Sequence, residues 1–108
     1  MSFENALNEI NKVYETTKIA LEVAVIKIDK MLDKNNLYYV VLKDKNEKLI
    51  LTDYAHTCEI INLGEDKFKE ICKKYGIEFN NWNIEKTFNS IADLETYIAC
   101  LDEIKNNI

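Results

Sequence analysis

Five residues able to do chemistry crowd one short stretch: Asp53, Tyr54, His56, Cys58 and Glu59 follow the apolar run Leu49-Ile50-Leu51-Thr52. Strand exits are places where functional groups are displayed. If a helix begins at Asp53, then His56 and Glu59 follow at i+3 spacing and occupy neighbouring parts of one surface. On that geometry His56 is a candidate general base or a single metal ligand, with Asp53 and Tyr54 as catalytic companions. The same residues have a plainer reading, in which Asp53 caps a helix and His56 lies on the surface. A metal site needs three protein ligands, and a nucleophile needs a base that is itself oriented. Neither pattern occurs, so no metal and no cofactor are expected.

Two further groups carry possible recognition rather than catalysis. Tyr38, Tyr39, Phe79 and Trp82 could form a stacking platform or line a ligand pocket, although strands favour half-buried aromatics anyway. Trp82 sits beside the polar Asn80, Asn81 and Asn83, so it is expected to be exposed and to anchor a protein partner. Towards the C-terminus Ala92, Glu95, Ala99, Asp102 and Glu103 lie away from an apolar helical stripe. They read as a flat acidic face, solvated or docked on a basic protein through Glu95, Asp102 and Glu103.

The elements that must position these groups are written in the apolar spacing. Ser2 is a cap for a first helix running to about Thr17, with Phe3, Ala6, Leu7, Ile10, Val13 and Tyr14 on its inner face. Ile19 to Met31 reads as one long strand. Its apolar parity shifts between Val25 and Ile26, which predicts a β-bulge there or burial on both faces. Leu37–Leu42 is apolar throughout, as a central strand should be. Leu49–Thr52 follows after a short polar turn, completing an antiparallel meander, since such connections suit hairpins and exclude crossover helices.

Gly64 breaks the chain before a helix with Glu65 and Asp66 at its start and Lys73 and Lys74 at its end, closed by Gly76. Ile77–Ile84, with Asn80-Asn81 inside it, predicts a small hairpin or kinked strand. Ser90 and Asp93 open the last helix as a capping box, and Ile91, Leu94, Tyr97, Ile98, Leu101 and Ile104 form its stripe. The expected fold is a single α+β domain over residues 1–108, in the order αβββααβα.

Composition narrows the function classes. The 14 basic residues are all lysines and the formal net charge is -5. Without the guanidinium fork, and against that charge, sequence-specific nucleic-acid binding is excluded as an expectation. Cys58, Cys72 and Cys100 lack metal-ligand or redox spacing and read as reduced thiols, with Cys72 and Cys100 buried. No signal-like start and no membrane-length apolar run occurs, so a cytoplasmic protein without a membrane partner is expected.

From Leu49 to Ile61 the chain resembles a bacterial and phage-borne family of uncharacterised domains. Their strands end in a Leu-Thr-Asp-Asp-Gly-like turn, and a helix, a Tyr-Gly-Val/Ile step, a strand and a last helix follow later. Leu51-Thr52-Asp53 matches the turn, Lys74-Tyr75-Gly76-Ile77 matches the tail, and Tyr54-Ala55 stands where the family has Asp-Gly. The resemblance implies company among mobile elements and assigns no catalytic residue. Together these readings point to a small non-enzymatic protein-binding module, an inhibitor, immunity or accessory factor. The rivals are a small enzyme or ligand-binding domain using Asp53, Tyr54 and His56, and a structural homo-oligomer associating through the last helix.

Overall fold

Short turns and alternating side chains make the middle of the chain a meander, and the computed structural model, which describes residues 1–107, carries it further than the spacing predicts. The elements are α1 (Phe3–Asn11), β1 (Thr16–Ala20), β2 (Val23–Met31), β3 (Leu37–Lys45), β4 (Lys48–Thr52), α2 (His56–Ile60), α3 (Glu65–Lys74), β5 (Glu78–Asn80), β6 (Asn83–Thr87) and α4 (Ile91–Asn106). Six strands form one antiparallel sheet in the order β1-β2-β3-β4-β6-β5. The α+β class and the central placement of β3 agree with the sequence reading. A radius of gyration of 13.1 Å is that of a compact chain of this length, about 13 Å.

Three boundaries differ from expectation. α1 ends at Asn11 rather than near Thr17, because Thr16 and Thr17 enter β1 and Val13 is left exposed. The expected strand Ile19–Met31 is two strands, turning at Leu21–Glu22. Its parity shift is therefore not a bulge at Val25–Ile26. Ala24, Ile26 and Ile28 face the core, whereas Val23 and Val25 lie on the opposite face. Pairing irregularities occur elsewhere, between Lys18 and Ala20 and between Lys27 and Met31. Finally, Ile77–Ile84 takes the hairpin form of the two expected, and β5–β6 adds a second strand where the expected order counted one.

One face of the sheet meets three helices. Phe3, Ala6, Leu7 and Ile10 of α1, Phe68, Ile71 and Cys72 of α3, and the α4 stripe form a single cluster with Ala24, Ile26, Tyr38, Val40, Leu42, Leu51 and Ile84. Local chemistry fixes the helix ends. The Ser2 hydroxyl accepts the Asn5 N–H at 3.1 Å, and the Asp93 carboxylate accepts the N–H groups of Asn89 and Ser90 at 2.7 and 3.1 Å. α3 closes with Gly76 at φ 67°, its N–H on the Lys73 carbonyl and that of Ile77 on Cys72. That is the left-handed step that glycine supplies without steric penalty. The second face carries Val25, Tyr39, Val41, Lys43 and Ile50, and is closed in part by the segment Tyr54–His56.

Candidate functional site

The reactive segment diverges in space. Asp53 leaves the end of β4 pointing inward and is fully buried. Its carboxylate accepts the N–H groups of Ala55 and Thr57, each at 3.1 Å, and that of Ile84 at 3.0 Å. It therefore holds the entry to α2, which starts at His56 behind left-handed Ala55 and not at Asp53 as expected, and it also ties that corner to β6. Burial pushes the Asp53 carboxyl above its ordinary pKa, and the donors from Ile84, Thr57 and Ala55 offset this only in part. Three backbone N–H groups thus share the Asp53 carboxylate, and none of its hydrogen bonds goes to His56.

Tyr54 and Ala55 both take left-handed backbone conformations, at φ 49° and 64°. This turns Tyr54 over the second sheet face, where the Lys43 ammonium sits 5.0 Å from its ring. The half-buried His56 ring lies against Tyr39, with centroids 5.6 Å apart. Among the described residues neither the His56 ring nor the Tyr54 hydroxyl makes a hydrogen bond with Asp53. Cys58 is half-buried, and its thiol is pushed up to about 12 by burial first and then by the neighbouring Asp53 carboxylate and Cys72. A thiol so shifted is a poor nucleophile. Glu59 points to solvent. Among the described residues no three His, Cys, Asp or Glu side chains are grouped to hold a metal ion.

The aromatic platform is divided as well. Tyr38 is buried on the helical face and Tyr39 lies on the other. Phe79 and Trp82 do come together, with Phe68 as a third ring. Phe68 and Phe79 stack at 5.7 Å, and Trp82 meets them edge-on at 6.4 and 5.6 Å. Trp82 nevertheless remains 44% exposed. It occupies the β5–β6 turn with Asn81, both at positive φ, 49° and 67°. The hairpin type that matches sheet twist demands that conformation at both central residues.

What holds this corner lies just beyond it. The Ile84 N–H donates to Asp53, and the Ile84 carbonyl accepts the buried Tyr97 hydroxyl at 2.6 Å. Beside the indole runs a cleft of about 430 Å³ between α2 and the hairpin, lined by Ala55, Cys58, Glu59, Asn62, Gly64 and the aromatic pair Phe68 and Trp82. On the other side of the ring Glu65, Lys69 and Asn80 line a smaller recess of about 280 Å³.

The acidic face of α4 is not continuous. Glu95 is exposed, but Asp102 accepts the Tyr38 hydroxyl and the Lys30 ammonium, joining α4 to the sheet. Glu103 accepts the Lys74 ammonium and the Tyr75 hydroxyl, joining α4 to α3. Partial burial alone would raise the Asp102 carboxyl, but Lys30 and Tyr38 outweigh it and hold the pKa below its ordinary value. Lys74 and Tyr75 hold Glu103 low too. These two carboxylates are occupied within the fold, because their partners come from elements far away in sequence. The three cysteines are free thiols, with Cys72 and Cys100 buried. Among the described residues no helix is long and apolar enough to cross a membrane.

Tyr97 and Ile84 are the pair that spacing could not reveal: Tyr97 reads as one more stripe residue, and nothing local marks its hydroxyl as a ligand for β6. Set beside known protein families, curated proteins and solved structures, the chain matches none of them.

Proposed function

We propose that this chain is a non-enzymatic protein-binding module whose contact surface is the Trp82 corner. The observation that carries the reading is a large aromatic ring, 44% exposed, on a turn pinned from beneath by Asp53 and Tyr97. A rigid aromatic anchor loses little freedom on binding, which is why tryptophan is enriched among residues that dominate interface energies. Among the described residues the unpaired carboxylate beside it is Glu59 on α2, while Glu65 on α3 is paired with Lys69 at 2.8 Å. A partner segment that offers an apolar side chain next to lysine or arginine suits this surface, with the cation over the indole face. Glu95 does not line either recess, and Asp102 and Glu103 are engaged internally, so Trp82 is the part of the expected contact set retained. The role as an inhibitor, immunity or accessory factor of a mobile element rests on the resemblance at Leu51-Thr52-Asp53 and Lys74-Tyr75-Gly76-Ile77.

The test is affinity capture from lysate of the native host, followed by titration of the purified captured protein against wild type and Trp82→Ala. A saturable complex whose dissociation constant rises at least tenfold on substitution supports the reading. A complex indifferent to Trp82→Ala would refute it. So would a hydrolase or nuclease activity of the wild type that His56→Ala abolishes in a folded protein.

A further inference from the structure

The two edges of the sheet are built differently. β5 is three residues long, its exposed positions are Glu78 and Asn80, and α3 packs beside it. Short length and charge are how natural edges avoid further pairing. β1 is less protected: it is longer, and its one charged side chain, Lys18, is drawn back onto Glu4 and Phe3 of α1. It spans five residues, four of them exposed, and among the described residues no strand pairs beyond it. The alternation of the ladder shows which backbone groups are free. Thr17 is paired with Val25, and the Lys27 N–H reaches the Glu15 carbonyl at 2.8 Å, so Glu15 and Thr17 direct their groups inward. The N–H and C=O groups of Thr16 and Lys18 consequently point outward. Apolar residues flank them at both ends: Val13 is 60% exposed, Ile19 56% and Leu21 82%. Ile19 stands out where pairing with β2 is irregular.

From this edge we infer that the chain forms a twofold dimer by antiparallel pairing of β1 with β1 of a second copy. An extended strand is what an open ladder accepts, and three features select a second copy as its source. Pairing centred on Thr17 sets Thr16 opposite Lys18 of the other copy, twice, so the outward groups of both strands meet each other. The same twofold carries the turn before β1, with Val13 exposed on it, towards the Leu21 turn of the other copy, so both ends of the edge bring apolar surface to the seam. Charge does not oppose the approach, although each copy carries -5. Lys12, Glu15 and Lys18 are already paired with Glu9, Lys27 and Glu4, at 3.1, 3.5 and 2.7 Å, leaving the strip locally neutral. The pairing uses up the edge and closes at two copies. A ladder this short belongs among small interfaces, and a dissociation constant on the order of tens of micromolar is expected.

Sedimentation velocity over concentrations bracketing the micromolar range tests this on the intact chain. Wild type should pass reversibly from monomer to dimer. Leu21→Lys changes a solvated side chain and should raise the dissociation constant at least tenfold. Thr16→Pro removes one outward N–H and should abolish the dimer, with circular dichroism reporting on the fold. Trp82→Ala should leave the dimer intact, which separates this inference from the partner surface above. A wild type monomeric throughout would overturn it. So would a dimer that survives Leu21→Lys, as association through α4 would, or an edge that takes up only a foreign extended peptide.

Discussion

The corner at Tyr54–Ala55 and the corner at Asn81–Trp82 share a backbone conformation and differ in what they do with it. Each places two consecutive non-glycine residues at positive φ, a conformation that costs roughly 1–2 kcal/mol per residue through crowding at Cβ. At the first corner the neighbouring carboxylate turns inward and the rings of Tyr54 and His56 are laid on the sheet. At the second, the strain holds an indole out towards solvent beside a cleft. Asp53 is common to both, since it accepts from Ala55 and Thr57 on one side and from Ile84 on the other. The segment richest in reactive side chains thus acts as a brace, while the other corner keeps its indole exposed.

Removing that brace should have the largest effect. Asp53→Ala leaves three N–H groups without their acceptor in the interior, and a loss on the order of 3 kcal/mol is expected in urea unfolding. A loss below about 1 kcal/mol would mean that the two corners stand independently. The pH dependence sharpens the same point. The folded pKa of Asp53 is raised, so the folded state binds this proton more tightly than the unfolded chain does. The stability it contributes is therefore full below the unfolded value, about 3.9, and is lost as pH rises through the folded value. Asp53→Asn cannot titrate. The advantage of wild type over that variant should shrink with rising pH across this window, and a growing advantage would show that the carboxylate is held charged.

How much of this could be read from the chain depends on the range of the interaction. α3 was legible because acids, lysines and Gly76 sit within its own ends, and α4 because Asp93 caps residues next to it. The long strand failed because Leu21 is apolar yet occupies a turn, so hydropathy there does not report burial. Left-handed corners at Asn46–Glu47, Tyr54–Ala55 and Asn81–Trp82 carry no glycine, and only the asparagines hint at them. Asp53 was recognised as a cap, but its third donor, Ile84, is 31 residues away. Asp102 and Glu103 looked free for the same reason: Tyr38, Lys30, Lys74 and Tyr75 meet them only in the folded chain.

Loosening one corner alone should have an intermediate effect. Tyr97→Phe deletes the hydroxyl that donates to the Ile84 carbonyl at 2.6 Å and keeps the ring. A loss of about 1–1.5 kcal/mol is expected. Because Ile84 anchors the hairpin and not α2, amide exchange should rise in β5 and β6 while Thr57 keeps its protection. Equal loosening at Thr57 would show that the shared Asp53 makes the two corners open together, not one at a time.

The smallest expected effect runs the other way. Ala55 holds φ 64° with a methyl group that gains nothing specific from that position, whereas Trp82 holds φ 67° and packs its ring on Phe68 and Phe79. Glycine adopts this conformation without the Cβ penalty, at the expense of a more flexible unfolded chain. The two terms nearly offset, and relief of strain is the larger, so Ala55→Gly should stabilise by about 0.5 kcal/mol. The urea midpoint should rise with no change in slope, because the surface exposed on unfolding is the same. The equivalent change at the other corner, Trp82→Gly, removes the ring contacts along with the strain and should lower the midpoint. If Ala55→Gly lowers it too, left-handed strain is not what the first corner carries, and the contrast between brace and display would have to rest on burial alone.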